Sequence, residues 1–159
     1  MDVHVDAPRT LVLALGNPLM GDDAFGARVL ERLPPRGGVE VRDAHTDLLG
    51  RIDDFIACDL VILVDAVVGV GRPGEVKVFD EAAFSCWDAP SPSVHQVSPV
   101  AAIRLFRALH PGAATRIVLV ALCIPRLDRA SAFADDAAIE TAVELVMTTG
   151  SAPRTTGPT

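Results

Sequence analysis

The chain is poor in aromatic residues, in cysteine and above all in lysine, and each shortage excludes something. Six Phe and one Trp among 159 residues, with no Tyr, cannot furnish a core. Half of the residues are nonetheless hydrophobic, so the core must be Val, Leu, Ile and Ala, as in parallel sheets buried under helices. The three cysteines, Cys58, Cys86 and Cys123, are odd in number, widely spaced and form no C-x-x-C. That argues against a disulfide framework and a structural zinc site, and free thiols suit a reducing cytoplasm. Lys77 is the only lysine and the formal net charge is −7, which speaks against binding nucleic acid. The longest apolar run, Leu60 to Val70, is too short for a bilayer and holds Asp65, and the polar first residues have no secretory pattern. The expectation is a cytoplasmic, non-membrane protein: one domain over residues 1–149, then a disordered tail at 150–159 rich in Gly, Ser, Pro and Thr.

Periodicity predicts strands over 10–16, 39–42, 60–64, 75–79 and 116–122. Helices are predicted over 22–33, 48–56, 98–109 and 136–147, with Asp22 or Asp23 capping the first and Asp47 the second. Pro99 sits where helices accept proline, and residues 80–94 read as a Ser- and Pro-rich loop. The β-α-β-α-β start implies parallel strands with right-handed crossovers. Only Ala66 to Gly74 joins the third strand to the fourth, too short for a parallel crossover, so the fourth should run antiparallel. The fold class is therefore α/β, a three-layer α/β/α sandwich around a five-stranded mixed sheet.

This topology gathers three side chains. Asp23 follows strand one, Asp65 follows the apolar stretch of strand three, and His95 precedes the helix that feeds strand five. If strand five is parallel, all three face the C-terminal edge of the sheet, where open α/β folds bind ligands. Two carboxylates and an imidazole suit a borderline divalent metal such as nickel or zinc. Taken singly each has a plainer explanation: an Asp pair caps helices, an Asp after a strand caps the next segment, and a lone His is more often a hydrogen-bonding residue. Gly16-Asn17-Pro18-Leu19-Met20-Gly21 is no phosphate loop, since it lacks the G-x-x-x-x-G-K-[ST] lysine and the G-x-G-x-x-G spacing. Cys86 and His95 as a nucleophile and base have nothing to orient them. His45, after strand two, is the other histidine near this edge and a candidate supporting group. Phe84 and Trp87 read either as an exposed partner contact or as a lid on the core.

Three segments together resemble the hydrogenase maturation protease family: Gly16-Asn17-x-Leu19-x-x-Asp22-Asp23-x-x-Gly26, Asp65 on strand three, and Ser93-x-His95-Gln96. The resemblance runs from about Leu11 to Met147. It implies a phosphorylase/hydrolase-like fold with strand four antiparallel. It also implies an endopeptidase that removes the C-terminal extension of a nickel-iron hydrogenase large-subunit precursor after nickel insertion. Asp23, Asp65 and His95 would be the catalytic and nickel-contacting positions. The nickel would belong to the substrate, with no resident organic cofactor, and the partner would be the precursor itself. Many relatives carry Glu where Asp23 stands, and Gly where Ala24 stands.

Two other readings compete. A phospho-receiver domain also puts an acidic pair after strand one and an acceptor Asp after strand three, but it needs a lysine after strand five. Val118 to Pro125 offers none. A non-catalytic nickel- or precursor-binding assembly factor would use the same ligands as the protease.

Overall fold

The computed structural model describes residues 9–87, 98–129 and 132–151. Strands β1 (Thr10–Leu15), β2 (Val39–His45), β3 (Leu60–Val68), β4 (Val76–Asp80) and β5 (Arg116–Ile124) form one sheet in the order β2-β1-β3-β5-β4. The first three and β5 are parallel, and β4 pairs antiparallel with β5. The short 66–74 connection does force the reversal, because it cannot carry the chain back along the sheet. Helices α1 (Phe25–Arg32), α2 (Glu81–Phe84), α3 (Pro99–Leu109) and α4 (Asp136–Ser151) complete the layers, with 3-10 segments at Gly21–Ala24 and Leu49–Ala57.

Side-chain alternation along the central strands divides the core in two. Leu11, Leu13, Val61, Leu63, Ile117 and Leu119 point to one face, under Ile52, Phe55, Ile103 and Phe106. Val12, Ile62, Val64, Val118 and Val120 point to the other, under α1 and α4. A strand buried on both faces has no polar side to show, which is why these runs are continuously apolar. Phe55 and Phe106 meet edge to face with ring centroids 5.4 Å apart. Burying each ring contributes about 2–3 kcal/mol. Phe84 is buried and Trp87 packs on the same core against Phe79, at 4.8 Å between centroids, so the pair is a lid on the core rather than a free contact. Arg107 holds Glu81 through two bonds of 2.8 and 2.6 Å and donates to the carbonyls of Ala113 and Thr115. It thereby fastens α3 to α2 and to the approach of β5.

Several boundaries differ from expectation. The 48–56 helix is instead a 3-10 segment over Leu49–Ala57. Asp47 does anchor it, accepting the Gly50 N–H at 2.9 Å. Gly50 and the Asp53-Asp54 pair lower α propensity, and i→i+3 bonds such as Arg51 N–H to the Leu48 carbonyl take over. The 80–94 stretch opens with α2, capped by Asp80, whose Oδ1 accepts from Ala83 at 2.8 Å. β3 runs four residues past Val64 because β5 is equally long and pairs with it through Val68–Ile124. Asp65 therefore lies within a strand, not at its end. α4 extends to Ser151, into the stretch expected to be disordered, and residues 152–159 lie outside the described part.

Candidate active site

The strand order puts a topological switch between β1 and β3: one connection leaves β1 toward β2, the other leaves β3 toward β4 and β5. β1 pairs with β3 only as far as Ala14–Val64. From Asp65 onward β3 keeps β5 and loses its β1 neighbour, so a crevice opens at that residue.

The segment after β1 folds back over this crevice, and its glycines explain how. Gly16 has φ +110°, outside the range of other residues, and a Cβ there would lie 2.2 Å from the Asp23 carbonyl and 2.8 Å from its Oδ1. Asp23 is thus laid directly on the end of β1. Its Oδ2 accepts the Asn17 N–H at 2.6 Å, while the Asn17 Oδ1 accepts the Leu19 N–H at 3.0 Å. Gly26 opens α1 against the sheet itself, with a Cβ position 2.6 Å from the Val64 carbonyl and 2.8 Å from that of Leu15. Glycine here lets the helix start between the ends of β1 and β3.

Neither Asp of the pair caps α1, contrary to expectation; the residue before that helix is Ala24, which has no capping side chain. Asp22 is 1% exposed, and its Oδ1 accepts the Ala134 N–H at 2.8 Å, tying the site loop to the segment before α4. Among the described residues its Oδ2 meets no hydrogen-bond donor. Arg28 reinforces the same junction by donating to the Ala134 carbonyl. A cleft of about 450 Å³ between Gly21, Asp22, Arg28 and the 132–136 segment lies on this flank and holds neither Asp23 nor Asp65.

Asp65 is half-buried, and its Oδ1 accepts its neighbour Ala66's N–H at 2.8 Å. Burial first, and then the charge of Asp23, push its carboxyl up to about 8. Burial also raises the Asp23 carboxyl, against the opposing pull of the Asn17 N–H. Burial holds both carboxyls toward the protonated form, and the charge of Asp23 adds to it at Asp65, so the site is in want of positive charge. His95, the third expected member, lies outside the described residues, as do Ser93 and Gln96. Among the described residues no cluster of three or more metal-ligating side chains forms. Cys123 is buried in the sheet, and Cys58 is half-buried beside the apolar core, consistent with packing roles. Sequence reasoning missed the tether made by Asp22, because its partner is 112 residues away in the chain. It also missed the Asp43–His45 arrangement, whose local signal was only an acid and a histidine two residues apart.

A family model described as hydrogenase maturation protease matches residues 27–149, a span that holds Asp65 and begins just after Asp23. The chain is 31% identical over 112 residues to the hydrogenase expression/formation protein HoxM of Azotobacter vinelandii, covering 66% of this chain and 54% of that one. It is 30% identical over 96 residues to the hydrogenase 2 maturation protease of Escherichia coli, covering 57% and 56%. The matches thus span about half the length of these curated relatives. Among solved structures, the hydrogenase maturating endopeptidase HybD from E. coli superposes with a TM-score of 0.74 at 26% identity, over 89% of this chain and 91% of that one. The [NiFe] hydrogenase maturation protease HybD from Thermococcus kodakarensis does so at 0.67 and 26%, over 89% and 99%.

Proposed function

The chain belongs to the hydrogenase maturation protease family, and from that premise we propose that it is an endopeptidase which trims the C-terminal extension of a nickel-iron hydrogenase large-subunit precursor once nickel is in place. The observation that carries this reading is the Asp23–Asp65 pair at the β1/β3 crevice. Burial disfavours ionisation of both carboxyls and the charge of Asp23 adds to the cost at Asp65, and a divalent cation presented by the substrate relieves that cost by supplying the missing positive charge. A nickel ion carried in the precursor fits this demand, with His95 as the nitrogen ligand. The metal then serves as the mark of a finished precursor, and the protein needs no resident cofactor of its own.

Hydrolysis beside that ion follows one of two routes. The metal polarises the scissile carbonyl or lowers the pKa of a water, or a carboxylate of the pair takes a proton from the water as general base. A protein substrate is also in keeping with Leu19, which stands 84% exposed on the loop that carries Asp23. Isolated exposed leucines are common, but this one lies on the turn between β1 and Asp23.

The receiver reading loses its support. Receiver-type sheets run 2-1-3-4-5, whereas β4 here is antiparallel at the edge beyond β5, and β5 carries no lysine. The assembly-factor reading differs from the protease in one observable. Incubated with its cognate precursor, the protein is expected to yield a shortened large subunit and a free C-terminal peptide in equal amounts. A stable complex with the precursor intact would replace the protease by the assembly factor. Among the described residues no helix is long and apolar enough to cross a membrane.

A further inference from the structure

β2 does not stop where its alternation stops. It continues through Asp43 and Ala44 to His45, and its register with β1 shifts there: Ala14 faces Asp43, but Leu15 faces His45. Ala44 is the extra residue and turns into the core. Bulges re-aim side chains and collect beside active sites. The one non-glycine with positive φ among the described residues is His45, at +51°. Residues held in this left-handed region carry strain that the surroundings must compensate, and they gather at functional sites.

Two contacts fix its orientation. Asp43 Oδ1 accepts the His45 main-chain N–H at 2.8 Å and lies 3.3 Å from the ring Nδ1. The carboxylate on the Nδ1 side favours a proton there, the tautomer in which Nε2 is the acceptor. The imidazole is 64% exposed, so packing does not account for it. The His45 carbonyl accepts the Gly16 N–H at 2.8 Å, and Gly16 is the residue on which Asp23 is laid. His45 and Asp23 thus flank one glycine at the edge where the crevice opens.

We propose that His45, oriented by Asp43, is a substrate-contacting residue that accepts a hydrogen bond from a main-chain N–H of the precursor's C-terminal segment and seats that segment beside the crevice. This rests on the protease reading and adds to it a recognition group on the β2 side of the site. Extended peptides bind through main-chain hydrogen bonds, and a lone acceptor at the rim recognises the chain without demanding one side chain. The role is binding, so it should register in KM and leave kcat alone.

The test compares His45→Asn and Asp43→Asn with the unaltered protein in steady-state cleavage of the nickel-loaded precursor. Asparagine tolerates the left-handed backbone, so His45→Asn should keep the melting temperature. Its KM is expected to rise about tenfold, the scale of one hydrogen bond, with kcat unchanged. Asp43→Asn, which frees the ring, should show a smaller rise in KM. An unchanged KM in His45→Asn overturns the proposal. So does a fall in kcat at constant KM, which would mean that His45 acts only through Gly16 and Asp23. Cleavage by the unaltered protein tests the protease reading separately. If that protein binds the precursor without cutting it, the same ratio is read from equilibrium affinities. If it neither cuts nor binds, the functional reading falls and this inference with it.

Discussion

Asp65→Asn is expected to abolish processing and yet make the protein more stable in mildly alkaline solution. The two effects have one cause. The Asp65 carboxyl is pushed up to about 8 in the folded chain by burial and by Asp23, against an ordinary value of 3.8. Below the ordinary value both folded and unfolded chains hold the proton, and the site costs nothing. As pH rises, the unfolded chain releases its proton first, so stability falls progressively until the folded carboxyl also ionises near pH 8. Partial exposure of the side chain moderates the loss to about 2–4 kcal/mol. Asparagine keeps the shape and cannot ionise. The difference in unfolding free energy between variant and unaltered protein, measured by urea titration, should therefore be small at pH 4 and grow to that size by pH 8–9. On the proposed function cleavage should vanish at every pH, because the neutral amide would give a nickel carried by the substrate no negative charge. His95→Ala is expected to lose cleavage likewise. A variant at Asp65 that processes normally would remove the carboxylate pair from the mechanism, and a pH-independent difference in stability would mean that the carboxyl is not held as described.

Gly26→Ala is expected to destabilise the protein strongly and to disturb the site. The added Cβ would stand 2.6 Å from the Val64 carbonyl and 2.8 Å from the Leu15 carbonyl, both of them strand backbone. A flexible side chain could swing aside, but these carbonyls cannot retreat without parting β1 from β3 or lifting α1 off the sheet. Overpacking of this kind costs typically about 1–3 kcal/mol, and with backbone on both sides the upper end applies. The loss should appear as a lowered urea midpoint at an unchanged slope. Activity should fall by more than stability alone explains, because α1 follows directly on the 3-10 turn that carries Asp23. A stability within about 0.5 kcal/mol of the unaltered protein would show that the helix start is not wedged between the strands.

Much of this architecture was legible in the chain because its causes are local. Leu11 to Leu15, Leu60 to Val64 and Ile117 to Leu122 are continuously apolar since both faces of the sheet are covered. The reversal of β4 follows from the length of one connection, and the placement of Asp23 and Asp65 at one edge of the sheet follows from the parallel order of β1, β3 and β5. The end of β3 was not legible. Its extension past Asp65 depends on the partner strand β5, and an aspartate reads locally as a stop. The 3-10 winding of Leu49–Ala57 turns on small differences in propensity that periodicity does not resolve. The role of Asp22 depends on a contact with Ala134, far along the chain, and the conformation of His45 depends on a bulge against β1. Such features belong to tertiary packing, and they lie around the site, where local rules are most often broken.

On the proposed function, metal in the substrate licenses the cut. This is tested most directly by the mass of a cognate large-subunit precursor before and after incubation with this protein, with nickel-loaded and metal-free forms run side by side. Loss of a C-terminal peptide from the loaded form alone is expected. Equal cleavage of both forms would contradict it, leaving a protease that does not read the metal, and a loaded precursor that stays whole would contradict it as an enzyme altogether.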